Sequence, residues 1–218
     1  MFEYNGVKLM WLGHDGFRIQ NGKVIYIDPF QIECSEPKAD IILLSHEHDD
    51  HCNAEYLKKI IGPNTVIVAH AQSKGELAKI KVNVIKIIKP GEKINIGDTA
   101  VEAVPAYNLN KFLKPGKPFH PKEDGKLGFI LTVKGTRIYH AGDTDNIPEM
   151  KSIRTDIALL PVSGTYVMTA QEAAEAAAVI NPEIAIPMHY GAIVGDVKDA
   201  EEFKKLVKCE VKILEKER

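Results

Sequence analysis

The stretch Ser45-His46-Glu47-His48-Asp49-Asp50-His51 (SHEHDDH) places three of the chain's 8 histidines within six residues, interleaved with acids. It directly follows residues 40–44, DIILL, a continuous apolar run of the kind expected of a strand buried on both faces. If that strand stays extended past Ser45, then His46, His48 and Asp50 recur at every second position and project to one side. His51 falls where the chain should bend, so it approaches the same point from another direction. Neutral imidazoles and carboxylates are ligands for zinc and its first-row neighbours. A polar helix start would account for Asp49 or Asp50 alone, but not for the alternation behind a buried strand. The spacing predicts a metal site.

Two further strand ends carry matching groups. RIYHAGDTD (residues 137–145) ends a strand with His140 and then Asp143 in a turn led by Gly142. IAIPMHYG (residues 184–191) ends another with His189. Each alone has an ordinary structural reading, but all three follow apolar strands at their carboxyl ends, where ligand sites of α/β proteins gather. Convergence on one metal centre is the economical expectation.

The rest of the chain reads as short strands and a few helices. VKLMWLG, GFRIQ and KVIYID are strands, with Asn21-Gly22 as a hairpin signal and Asp28-Pro29 as a stop. NAEYLKKIIG reads as a helix from an Asn53 cap to a Gly62 stop, and QSKGELAKIK as a second short one. NTVIVAH, NVIKII, TAVEAVPA, TDIALLPV, EIAIPMHYG and EVKIL are strands. LGFILTV and GTRIYH are strands too, turning at Lys134-Gly135. TAQEAAEAAAVINP is the clearest helix, with a Thr169/Glu172 capping box and Pro182 beyond its end. VKDAEEFKKLVK is an amphipathic helix. No linker or low-complexity tract interrupts residues 1–218, so a single α/β domain of two sheets covered by helices is expected.

At 218 residues the chain can bury a core without staples, and 44% hydrophobic with 27% charged residues is the balance of a globular protein. A net charge of −2 argues against a general nucleic-acid binder. Cys34, Cys52 and Cys209 form no CxxC and are odd in number, which fits free thiols in a reducing compartment. No basic leader precedes an apolar segment, and no apolar run approaches the roughly 20 residues of a membrane span. A cytoplasmic protein without membrane or nucleic-acid partners is expected, with a homo-oligomer left open.

SHEHDDH, YHAGDTD and IPMHYG, in that order and spacing, resemble the metallo-β-lactamase superfamily, and the resemblance runs over essentially the whole chain. WLGHDGFRI, the DPF at residues 28–30 and ALLPVSGTYVMTAQEAA look like a lactonase-like subgroup that includes L-ascorbate-6-phosphate lactonase. The resemblance implies a four-layer αββα sandwich of two mixed β-sheets. It implies one metal held by His46 and His48 and another by Asp50, His51 and His189, with Asp143 bridging. It further implies a hydrolase that uses a metal-bound hydroxide, with one or two divalent ions: zinc first, then manganese, nickel or iron. The substrate it implies is a phosphorylated small molecule, a lactone or a phosphoester. An iron-dependent redox protein and a non-catalytic metal binder are the rival readings. One departure stands out. Asn108 occupies the place where most of the superfamily supplies a further histidine to the first metal.

Several residues remain unassigned by that pattern. His14, in GHDG, is a candidate ligand or outer-shell group. His120 is a candidate catalytic residue, beside Asp50 and Asp143, on a long irregular segment over residues 107–126 that is expected to form a lid. His70 and Cys52 read as structural, Cys52 as a buried thiol. Lys111, Lys114, Lys117, Lys122 and Lys126 crowd the lid segment, where they read as an ordinary solvated loop or as a patch that would favour an anionic substrate.

Overall fold

The computed structural model describes residues 1–217 and divides them into two compact units, one of residues 1–89 with the stretch from Leu214, the other of residues 90–213. Each unit carries its own seven-stranded mixed sheet.

In the first unit, β1 (Phe2–Tyr4), β2 (Val7–Gly13), β3 (Gly16–Gln20) and β4 (Val24–Ile27) form an antiparallel meander. The sheet then turns parallel through β5 (Ala39–Leu44), β6 (Ile61–Ala69) and β7 (Val84–Ile87). Parallel neighbours need crossovers. The β5-to-β6 crossover holds α1 (Ala54–Ile60), and the β6-to-β7 crossover holds α2 (Lys74–Leu77) behind a short 3₁₀ turn. Ile41, Ile42, Leu43 and Leu44 are all buried, which explains the unbroken apolar run. Ile42 and Leu44 pack with Tyr26, Leu57, Ile60 and Ile67 in one core cluster. The C-terminal stretch adds to β2, with Glu217 N donating to Trp11 O at 2.8 Å and Glu217 also accepting from the buried Arg18.

In the second unit, β8 (Lys93–Ile96), β9 (Thr99–Pro105), β12 (Leu127–Val133) and β13 (Thr136–His140) are antiparallel, once a small hairpin of β10 (Phe112–Lys114) and β11 (Lys117–Pro118) is set aside. The sheet continues in parallel through β14 (Ile157–Pro161), β15 (Ile184–Met188) and β16 (Glu210–Val211). The crossovers carry α3 (Ala170–Ile180) and α4 (Val197–Leu206). Gly128 in β12 is a close-approach position, because a Cβ there would lie 2.8 Å from Ala141 O. The missing side chain lets the chain leaving β13 run tightly against β12.

The Thr169/Glu172 capping box is present, and Asn181 ends α3 in the left-handed region at φ 54°. A cap is worth about 1 kcal/mol. Burial of the Ile180 side chain alone is worth about 1.5–3 kcal/mol, so the apolar stripe of Ala173, Ala176, Ala177 and Ile180 holds this helix more than its cap does.

Four expectations change. The SHEHDDH run does not stay extended: β5 stops at Leu44, and His51 N and Cys52 N both donate to His48 O in a tight turn. Alternation does not place those side chains. Gly62 is not a helix stop, because α1 passes directly into β6 through an extended Ile61. The segment over residues 107–126 is not irregular throughout, since it contains the β10–β11 hairpin and a 3₁₀ turn at Lys122–Asp124. Strands β1 and β8 were not anticipated, being only 3 and 4 residues long. Among the described residues, no helix is long and apolar enough to cross a membrane.

Candidate metal-ligand clusters

In the first unit the cluster is organised from behind by Asp28, which follows β4 and is fully buried. Its Oδ1 accepts from Ser45 N at 2.8 Å, and its Oδ2 accepts from Ser45 Oγ at 2.5 Å and from His51 Nδ1 at 2.8 Å. A carboxylate can only accept, so His51 carries its proton on Nδ1 and leaves the Nε2 lone pair for another partner. Ser45 Oγ has one proton and gives it to Asp28. At its 2.9 Å contact with His46 Nδ1 it must therefore accept, which puts the His46 proton on Nδ1 as well. One buried carboxylate thus sets the tautomers of two buried imidazoles.

The Nε2 atoms of that pair face further side chains. His46 Nε2 lies 3.0 Å from Nδ1 of the half-exposed His48. His51 Nε2 lies 3.7 Å from Asp50 Oδ2 and 3.7 Å from Asp15 Oδ2. The last two separations exceed a hydrogen bond. They come close to the edge between two ligands of a tetrahedral zinc, roughly 3.3 Å from bonds of 2.0–2.1 Å. His14 Nε2 sits 3.0 Å from Asp50 Oδ2 and so grips that carboxylate. His14, Asp15 and His51 each offer one ligand atom within 4.8 Å of the others.

In the second unit, Asp143 lies in the turn after β13 and presents one oxygen to each of two buried imidazoles. His120 Nε2 is 3.5 Å from Oδ2, and His189 Nε2 is 3.6 Å from Oδ1. His189 Nδ1 lies 2.9 Å from Ser163 Oγ, whose own proton points to Thr165 O at 3.3 Å. His120 Nδ1 lies 2.9 Å from Asn108 Oδ1. The setting of His51 recurs, with each imidazole held by an oxygen at Nδ1 and its Nε2 turned to a carboxylate.

Backbone strain marks the same places. His14, Asp28 and His189 adopt φ of 53°, 44° and 59° without being glycine. Such positions cost energy and collect at functional sites.

Of the residues expected from sequence, His46, His48, Asp50, His51 and His14 come together in the first unit, and Asp143, His189 and His120 in the second. His140 accepts from Gly142 N at 3.2 Å and shapes the turn. His70 accepts from Gln72 N at the 3₁₀ turn, in keeping with a structural role. Burial pushes the Cys52 thiol up to about 12, against a hydrogen bond with Ser73, so it is held as an inert core thiol. The lysine crowd is largely spoken for. Lys111 pairs with Glu172 at 2.7 Å, Lys122 pairs with Glu149 at 2.7 Å, and Lys126 is buried. Burial would raise the Glu172 carboxyl, but hydrogen bonds from Lys111, Thr169 N and Asn110 bring it down to about 2. Lys114, Lys117 and Lys122 stand exposed, and of these Lys114 and Lys117 lie on the hairpin. Sequence reasoning missed Asp15, the tautomer-setting Asp28 and the serines Ser45 and Ser163. Asp28 reads as a strand stop and as part of the DPF resemblance, and nothing in its spacing points to His51.

Residues 8–189 match the family described as Beta-lactamase superfamily domain, a match that begins in β2 and ends at His189. Together with the two mixed sheets, this defines the metallo-β-lactamase fold. A UPF0173 metal-dependent hydrolase of Archaeoglobus fulgidus is 33% identical over 93% of this chain and 91% of its own length. The chain is similar to a crystal structure from Parabacteroides distasonis, provisionally described as a metal-dependent hydrolase, with 35% identity and a TM-score of 0.84 over 96% of this chain and 94% of the other. Igni18, a metallo hydrolase from Ignicoccus hospitalis, is 25% identical with a TM-score of 0.76, over 97% and 96% of the two chains. The chain belongs to the UPF0173 metal-dependent hydrolase family of the metallo-β-lactamase superfamily. It is therefore an enzyme whose hydrolysis depends on a metal.

Proposed function

We propose that the metal is zinc and that the substrate is a phosphorylated small molecule, a lactone or a phosphoester. His46, His48, Asp50, His51, Asp143 and His189 are the ligands in this reading, as the resemblance implies, with His120 beside Asp143. The observation that carries it is that four buried imidazoles, His46, His51, His120 and His189, each turn Nδ1 to an oxygen 2.8–2.9 Å away. An oxygen that accepts there leaves Nε2 as a lone pair. Such second partners fix ring orientation and raise ligand basicity at metal sites. A purely structural cluster has no need for four rings set alike. The donor set of imidazole and carboxylate suits zinc.

An ion held there supplies Lewis acidity and a water acidified to a pKa of about 7. The chain's own residues then divide the remaining work. His14 orients Asp50 through the 3.0 Å contact at Oδ2. Asp28 keeps His51 and, through Ser45, His46 from presenting an N–H to a cation. The exposed Lys114 and Lys117 favour an anionic substrate, and the preference should be modest because exposed charges are screened by salt.

The test is a substrate panel of a phosphomonoester, a phosphodiester and neutral and phosphorylated lactones. Chelator-treated protein is supplied with zinc, manganese, nickel or iron, one at a time. Hydrolysis of at least one anionic substrate should appear only with added metal, and its advantage over the neutral analogue should shrink as salt rises. Turnover that ignores the chelator, or equal rates on charged and neutral lactones at low salt, would overturn this reading.

A further inference from the structure

Asn108 is buried, and each side of its amide is committed within its own unit. Oδ1 accepts from His120 N at 2.9 Å and lies 2.9 Å from His120 Nδ1. Nδ2 donates to Tyr166 O at 2.8 Å and to Asp145 Oδ1 at 3.3 Å. Turning the amide over would set its NH₂ against a backbone N–H and its oxygen against a carbonyl and a carboxylate, so one orientation holds. An amide oxygen cannot donate. His120 must therefore place its proton on Nδ1, and its Nε2 lone pair points to the side of Asp143 Oδ2, 3.5 Å away.

Asp145 braces this arrangement. It is buried, and its Oδ2 accepts from Leu109 N at 2.6 Å and Asn110 N at 2.9 Å, so it fixes the backbone that directly follows Asn108. Asn108 N also donates to His120 O at 2.8 Å, which ties the two residues together through main chain and side chain alike. The contacts bridge 12 positions of sequence across the β10–β11 hairpin.

We propose that Asn108, braced by Asp145, is a positioning residue that locks His120 as its Nδ1–H tautomer and presents the Nε2 lone pair as a metal ligand beside Asp143. This rests on the metal-dependent reading above for the ion, but not for the tautomer. Asn108 does not bind the metal itself, since both faces of its amide are engaged elsewhere. A histidine in its place is accordingly expected to weaken metal binding, because the ring would displace His120 from its anchor.

Two readouts on full-length protein test the proposal. Long-range proton–nitrogen spectra of metal-free, ¹⁵N-labelled protein report each imidazole's tautomer, with His120 identified by its loss in His120→Ala. The Nδ1–H form is expected in wild type. A His120 that carries its proton on Nε2 overturns the proposal, and this holds even if every Asn108 variant fails to fold. Zinc titration is the second readout. Asn108→Ala and Asn108→His should each weaken zinc binding about 10–100-fold, and Asn108→Ala should add little in a His120→Ala background. Unchanged affinity in a folded Asn108→Ala, or full additivity with His120→Ala, overturns it. Wild-type protein with the expected tautomer but no zinc uptake strikes the metal assignment and not the amide's hold on His120. The Nε2–H form in protein that does bind zinc strikes the hold alone.

Discussion

Asp143→Asn is expected to lower metal-dependent hydrolysis by at least about a hundredfold, more than the loss of an outer-shell partner usually costs, while leaving the fold intact. The carboxylate presents one oxygen to His120 Nε2 and the other to His189 Nε2. An asparagine keeps the shape but turns one of those oxygens into an NH₂, whichever way the amide settles. That NH₂ donates to the imidazole lone pair it faces, so a ligand is capped as well as a charge removed. Asp143 is buried, and removing a buried charge relieves a desolvation cost. The unfolding midpoint should therefore hold or rise even as metal content falls. Thermal unfolding and elemental analysis on the same preparation separate the two effects. Activity and metal content within a few-fold of wild type would remove Asp143 from the ligand set.

Asp28→Asn should give the second largest effect, from a residue that faces no ion at all. Its φ of 44° is one that asparagine tolerates, so the backbone has no reason to move. The side-chain outcome is forced. Ser45 N is a fixed donor at 2.8 Å from Oδ1, so the amide oxygen must stay there and the NH₂ must take the Oδ2 side. There it meets His51 Nδ1, which can only accept by moving its proton to Nε2. The nitrogen turned toward Asp15 and Asp50 would then carry a hydrogen instead of a lone pair. Metal affinity should fall roughly 10–100-fold. Stability should fall by only about 1 kcal/mol, since the amide finds partners. Wild-type affinity in a folded Asp28→Asn protein would show that the His51 tautomer does not govern metal binding.

These two residues also show where sequence reading succeeds and where it stops. Asp143 was visible because it stands in a Gly-led turn just past an apolar strand, and the same logic found His189 and the histidines after β5. The runs DIILL, FILTV and IALLP gave away their strands because double-sided burial leaves an unbroken apolar signature. Asp28 was not visible as an orienting group. Its action is to hold Ser45 and His51, 17 and 23 positions later, across a parallel pairing of β4 and β5 that no local pattern encodes. The alternation argument for His46, His48 and Asp50 assumed an extended geometry that the chain does not adopt, because it turns after Ser45 and brings them together by a bend. His120 was noticed only as a histidine on an irregular segment. Its partnership with Asn108 depends on a hairpin of 3 and 2 residues, too short to carry a periodic signal.

Metal binding by these residues is tested most directly by elemental analysis of protein never exposed to chelator, followed by equilibrium dialysis against zinc. The clusters built around His51 and around Asp143 predict about one to two tightly held equivalents of transition metal per chain, reduced in both Asp143→Asn and Asp28→Asn. Protein that arrives without metal and takes up none on dialysis, while still correctly folded, would contradict it.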